Sequence, residues 1–160
     1  MMRAALFLCT LLAFAGCQSA PPEPKVEPLL ARFFLEVGPG EKGVTVELPV
    51  SHVNINVGPR PVLGEYDIAA VDVTRSNHGW CMVFDLNPAA MRDLYDMSVV
   101  AHGRRLVLAL NGVPIGVRQL EQPIKDGELL VFVEVEDTQL AVLADRIRRT
   151  TQALAQHPRK

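Results

Sequence analysis

The chain has 160 residues, of which 49% are hydrophobic and 21% charged, and its formal net charge is −2. That length supports one domain with a tail, the composition is that of a folded chain, and the charge offers no global basic field for nucleic acid. Three cysteines are too few for a disulfide scaffold, and a single N-terminal apolar run excludes a polytopic membrane protein.

Met1-Met2-Arg3 opens the chain with one positive charge, and residues 4–15 are apolar apart from Thr10. A basic start and an apolar core of about 7–15 residues describe a secretory signal, whereas a spanning helix needs about 20. Phe14-Ala15-Gly16-Cys17 resembles the bacterial lipoprotein box, with Phe14 where that box usually carries Leu. The resemblance implies removal of residues 1–16, acylation (palmitate) of Cys17, and attachment to a membrane through the lipid. Gln18 in the next position favours the outer membrane, facing the periplasm, in a host with two membranes. Ala13-Phe14-Ala15 also reads as an ordinary secretory cleavage site. Residues 17–30 follow as a tether, with Pro21, Pro22, Pro24 and Pro28 favouring extended polyproline-like backbone. With Cys9 in the signal and Cys17 acylated, Cys81 has no disulfide partner, and a lone thiol in an oxidising envelope is expected to be buried and inert.

Residues 31–160 read as one domain. Phe33, Leu35 and Val37 alternate with polar or outward positions, a break at Gly38–Gly43 follows, and Val44, Val46, Leu48 and Val50 alternate again. This pair reads as a hairpin. Val53–Val57 alternates with Asn54 and Asn56 pointing out. Ile68–Val73 and Trp80–Phe84 are predicted strands around the turn Arg75–Gly79, with Trp80, Met82 and Phe84 on one core face. Asn87 is a helix N-cap and Pro88 suits the first helical position. Ala90, Met91, Leu94, Met97 and Ser98 form the apolar face of that helix, and Gly103 stops it. Leu106–Leu110 is apolar throughout, as a central strand with both faces covered should be. Asn111-Gly112 is a strong hairpin signal, since both residues tolerate positive φ. Val113, Ile115 and Val117 form the return strand, where Pro114 points to an edge position or a bulge. Lys125-Asp126-Gly127 turns into a strand at Leu129–Val135. A last helix from Asp137 carries Leu140, Leu143, Ala144, Ile147, Thr151 and Leu154 on one stripe. Six to eight strands with one inserted and one terminal helix predict an α+β fold, a mostly antiparallel sheet with both helices packed on one face.

Asp85-Leu86-Asn87-Pro88-Ala89-Ala90-Met91 opening a helix, His102 to Gly116 forming a buried strand and hairpin, and Ile124-Lys125-Asp126-Gly127 before a closing strand and helix together resemble the head subdomain of the first periplasmic domain of SecD. The likeness covers residues 67–155 and is a pattern of turns and apolar runs, with Asn111 where that family tends to have Asp. It implies an exported α+β domain that contacts protein or peptide in the envelope. The family's membrane spans and second periplasmic base have no counterpart here, so proton-driven translocation does not carry over.

Reactive constellations are sparse. His78 and Cys81 make half a zinc site with no second half. Asp67, Asp72 and Asp85 fall near strand ends, where a carboxylate pair can do acid–base work. Ser51-His52, and Ser98 with His102, lack a nucleophile elbow. Arg104-Arg105 and Arg146, Arg148 and Arg149 are cationic spots on solvated faces. The reading is therefore a non-catalytic envelope lipoprotein, with no cofactor, no metal and no nucleic-acid partner. It binds an envelope protein or peptide, by strand addition along Val113, Ile115 and Val117 if that strand is an edge. The alternatives are a hydrolase using the Asp and His groups, or a structural lipoprotein of the cell envelope.

Overall fold

A computed structural model describes residues 27–156; the expected export signal, Cys17 and most of the expected tether lie outside the described residues. The strands are β1 (Ala31–Leu35), β2 (Val44–Glu47), β3 (Asn54–Val57), β4 (Ile68–Ser76), β5 (Gly79–Leu86), β6 (Arg105–Leu110), β7 (Val113–Gln119) and β8 (Glu128–Val133). Helix α1 (Pro88–Val100) joins β5 to β6, and α2 (Asp137–Gln156) follows β8. Six strands make one sheet in the order β1-β6-β7-β8-β5-β4, and β2 and β3 pair as a separate two-stranded sheet. The pairings are antiparallel. The fold is α+β, as the element pattern predicts.

The all-apolar run of β6 explains itself in this arrangement. Leu106, Leu108 and Leu110 face the helices and share a core with Phe33, Met82, Phe84, Leu129, Leu94, Leu140 and Ile147. Val107 faces the opposite way and packs with Leu48, Ile55 and Val57 of the small sheet. Both faces are covered from Leu106 to Leu110, so none of those positions is polar. Residues of α1 and α2 belong to the same core, which places both helices on one side. Phe33 and Phe84 meet there edge to face, with ring centroids 5.1 Å apart.

Local chemistry sets the element ends as the sequence suggests. The Asn87 side chain accepts from the backbone N–H of Ala89 and Ala90, each at 3.0 Å, and Pro88 opens α1. After Val100 the chain leaves the helix, and Gly103 takes a φ of 82°. Asn111 and Gly112 adopt φ of 48° and 86°, the two positive values a tight hairpin turn requires. Pro28 to Leu30, at the end of the tether, are held to the body. The Leu29 N–H donates to Thr150 Oγ1 at 2.9 Å, and Asn111 bonds both Leu30 N–H and the Pro28 carbonyl.

Three expectations are corrected. The first two strands do not form a hairpin: β1 pairs with β6, from Ala31↔Leu110 to Leu35↔Leu106, and β2 pairs with β3. Phe33 is needed in the helix-side core, while Leu48 and Val46 are needed against Val107 on the opposite face. One two-stranded ribbon cannot serve both places. Trp80 shares a face with Met82 and Phe84 but lies at the hairpin tip beyond the helical cover, 40% exposed, with the Arg75 guanidinium 5.7 Å from its ring centroid. Finally, β7 is not an edge. It lies between β6 and β8, and Pro114, paired with Ala109, adjoins a register shift that leaves Ile115 as the extra residue before Gly116↔Leu108, which is the bulge reading of that proline.

Candidate protein-binding site

Strand addition needs an open ladder, and the topology decides where one exists. Val113, Ile115 and Val117 stand in an interior strand. Gly116 and Val117 pair with Val133 and Phe132, and the Glu134 N–H donates to the Ile115 carbonyl at 2.6 Å. The outer side of β1 is also covered, because Phe33 N–H donates to the Leu63 carbonyl and Val62 N–H to the Phe33 carbonyl, both at 2.8 Å, and Gly58 N–H reaches the Leu35 carbonyl. Among the described residues, the terminal strand of the main sheet with no backbone partner beyond it is β4, with nine residues. Ile68 and Val71 point into the core while Asp72, Thr74 and Arg75 are exposed. One of its carbonyls, Val71, accepts from Arg148 Nη2 at 2.8 Å, and Arg148 also pairs with Asp72 at 3.2 Å. Charged side chains and a covered carbonyl restrain edge-to-edge association of identical molecules.

A second opening lies inside the sheet. β7 and β8 pair at only two positions, after which Arg118 and Gln119 keep only their β6 partners and residues 128–131 only their β5 partners. A cleft of about 500 Å³ opens where they part, with Val117, Leu130 and Phe132 as its apolar lining and Ser76, His78, Gln119 and Glu121 around it. The His78 ring meets Phe132 edge on at 6.1 Å. Arg118 also lines the cleft, and its Nε is buried with no hydrogen-bond acceptor. Cys81 pairs in register with Phe132 and is wholly buried, its thiol donating to the Thr74 carbonyl at 3.5 Å. Burial pushes this thiol up, with the Ser76 backbone and nearby Arg118 pulling partly back. It is buried, as expected.

A third hollow, about 170 Å³ and apolar, lies between the two sheets against Phe34, Val46, Val57, Val107, Ala109 and Pro114. A charged clamp fixes the small sheet there. Glu134 accepts from the backbone N–H of Val50 and Ser51 at 2.8 and 2.9 Å. Burial pushes that carboxyl up, but the bonds from Ser51 and Val50 outweigh it and hold it below its ordinary range. Glu36 takes a forked pair from Arg105, one arm at 2.9 Å, and this holds its carboxyl down.

The groups named for catalysis are dispersed. Asp67 accepts from Gly64 N–H at 2.8 Å in a turn, Asp72 pairs with Arg148, and Asp85 lies opposite Glu128. Ser98 is buried, donating to the Tyr95 carbonyl and accepting from Ile124 N–H, so it has a structural task and no bond to His102. His52 pairs with Glu47 at 2.6 Å. Among the described residues no three His, Cys, Asp or Glu gather as a metal site.

No family model and no curated protein matches the chain. Solved structures do match. SecDF, described as a membrane component that enhances protein export, superposes with a TM-score of 0.58 at 16% identity over 76% of this chain and 62% of that one. SecDF in a super-membrane-facing form gives a TM-score of 0.60 at 16% identity over 75% of this chain and 18% of that one. The fold is SecD-like. The chain spans less than two thirds of the length of either SecDF chain. The 76% share is wider than residues 67–155, so the SecD-like architecture takes in strands ahead of that stretch. No helix among the described residues is long and apolar enough to cross a membrane.

The sequence missed both open ladders. Pro114 drew attention to β7, although proline marks bulges as well as edges. Nothing in Ile68–Ser76 distinguishes a terminal strand from an inner one except its polar alternate positions. Arg118 reads as an ordinary charge until its strand partner diverges.

Proposed function

We propose that this protein is an exported lipoprotein, held to a membrane through Cys17, whose SecD-like body binds polypeptide in the cell envelope without catalysing a reaction. The observation that carries this is β4, a nine-residue terminal strand with no strand beyond it among the described residues. Such a strand offers backbone donors and acceptors to an extended partner chain, with affinity from main-chain bonds and selectivity from alternate side chains. The dispersal of Asp67, Asp72, Asp85, His78 and His102 supports a binding role over a hydrolytic one. Gln18 supports an outer-membrane location facing the periplasm. Likeness to a component that enhances protein export supports a polypeptide as the partner.

Two experiments test the reading. A photocrosslinking side chain at exposed Thr74 should give polypeptide adducts in intact envelopes, while the same group at Val142, exposed on α2, should give none. Equal adducts from both positions, or none from Thr74, contradict binding at β4. Labelled palmitate should enter the wild-type chain and not Cys17→Ser; incorporation into both removes the anchor.

A further inference from the structure

We propose that the cleft between β7 and β8 takes an extended polypeptide segment in which one aspartate or glutamate neighbours an apolar residue. The carboxylate seats on Arg118, and the apolar side chain rests on Val117, Leu130 and Phe132. This rests on the polypeptide-binding reading but concerns a different place in the sheet.

Both walls of the cleft are strand backbone whose facing ladder stops after the rungs Gly116↔Val133 and Val117↔Phe132. Gln119 on one wall and Leu130 on the other pair only with the strands behind them. An extended segment entering the opening can continue either ladder, which compact or helical partners cannot do. The cavity, about 500 Å³, is in the size range of specific ligand clefts and suits a few residues.

The chemistry of the segment follows from the walls. Val117 and Arg118 are adjacent on β7, so their side chains leave opposite faces of the strand. An inserted strand alternates in the same way, so its acid and its apolar residue are neighbours in sequence. Arg118 lines the cleft and, among the described residues, forms no ion pair, and its Nε has no acceptor. A carboxylate entering the cleft supplies the missing countercharge, which a neutral amide cannot. Arg146 Nε is likewise buried without an acceptor, but its hollow, about 120 Å³, lies against the chain's own Pro28 and α2. Glu121 stands on the rim of the β7–β8 cleft and forms no ion pair with Arg118, so a second acid on the partner is disfavoured by like charge. One acid beside an apolar residue, with neutral flanks, is the segment that fits.

The test uses the purified mature chain and three fluorescent peptides read by anisotropy: Ser-Val-Asp-Val-Ser with an amidated C-terminus, the same with Asn for Asp, and the Asn peptide with a free C-terminus. The Asp peptide should bind at least about tenfold tighter than the amidated Asn peptide, the ratio a charge-assisted bond supplies. Arg118→Gln should bring that ratio to near one while leaving far-UV circular dichroism and Thr74 crosslinking unchanged. Equal binding of the Asp and Asn peptides overturns the proposal, as does an unchanged ratio in folded Arg118→Gln. Preference for the free C-terminus over the Asp side chain overturns the choice of carboxylate. If Arg118→Gln fails to fold, the peptide comparison on the unaltered chain decides alone. Failure of these arms with Thr74 adducts intact removes the cleft and leaves the β4 reading standing.

Discussion

Gly116 faces the backbone of β8 at close range, and Gly116→Ala tests whether the two-rung junction of β7 and β8 is as inflexible as its geometry implies. A Cβ there would lie 2.5 Å from the Phe132 carbonyl oxygen, 2.8 Å from Val133 Cγ1 and 3.0 Å from Val133 Cα. Two of those atoms are backbone, and Phe132 is held from behind by its pairing with Cys81. Relief therefore requires β7 and β8 to move apart by about an ångström, which strains or breaks the rungs at Gly116↔Val133 and Val117↔Phe132. Overpacking costs about 1–3 kcal/mol, and a weakened backbone bond adds about 0.5–1.5 kcal/mol. The expected loss is about 2–3 kcal/mol, which at a urea slope of about 2 kcal/mol/M lowers the unfolding midpoint by roughly 1 M. Gly64→Ala is the control, because the nearest atom to its Cβ is Asp67 Oδ2 at 3.9 Å, and its effect should stay within about 0.5 kcal/mol. A midpoint for Gly116→Ala within about 0.2 M of wild type at unchanged slope refutes the reasoning. So does an equal loss in both variants.

Ser98→Ala should cost about 1–3 kcal/mol in the same assay, because Ile124 N–H is left without its 2.9 Å acceptor next to a wholly buried position; no change would show that water replaces the hydroxyl. Arg105 holds Glu36 below its ordinary value of 4.5, so this pair stabilises the fold above that pH and its contribution fades as pH falls through the lowered folded value. Glu36→Gln should therefore be less stable than wild type at pH 7 and approach it in acid, by urea midpoints at several pH values; a constant gap contradicts the linkage. Cys81 should resist a disulfide thiol reagent in the folded chain and react once in urea, since burial both hides it and raises its thiol. Rapid labelling without denaturant would place the thiol at the surface.

Much of the secondary structure is legible because it depends on neighbours in sequence. Asn87-Pro88, Gly103 and Asn111-Gly112 act through their own dihedrals and side chains, and each does in the fold what its type implies. Sheet order is different in kind. Whether Phe33 faces Leu108 or Val46 depends on which surface the helices leave open, and no local pattern encodes that. Trp80 shows the same limit at one residue. Its alternation with Met82 and Phe84 is correct, yet its exposure depends on how far along β5 the helices reach. Arg118 is the extreme case, because its meaning depends on a neighbouring strand, β8, that starts only at Glu128 and pairs with β7 at two positions before parting from it.

The two faces of the main sheet are not treated alike, and this bears on where a partner can act. Helices cover one face along its breadth, while on the other the small sheet covers the β1–β6–β7 end, where Val107 and Val117 meet Leu48, Ile55 and Val57. That end has its edge sealed by residues 58–63 and its cover clamped by Glu134. The β8–β5–β4 end has neither device. Among the described residues its outer strand has no strand beyond it, and its inner boundary with β7 is joined by two rungs. Unsatisfied ladders are costly and invite aggregation, so a fold that seals one end so thoroughly and leaves two openings at the other has retained them against that cost. Arg148 on the Val71 carbonyl and the charges at Asp72 and Arg75 reduce the hazard without closing the edge. The polypeptide binding proposed above would use both openings, and Gly116 holds β7 against β8 where the inner one begins.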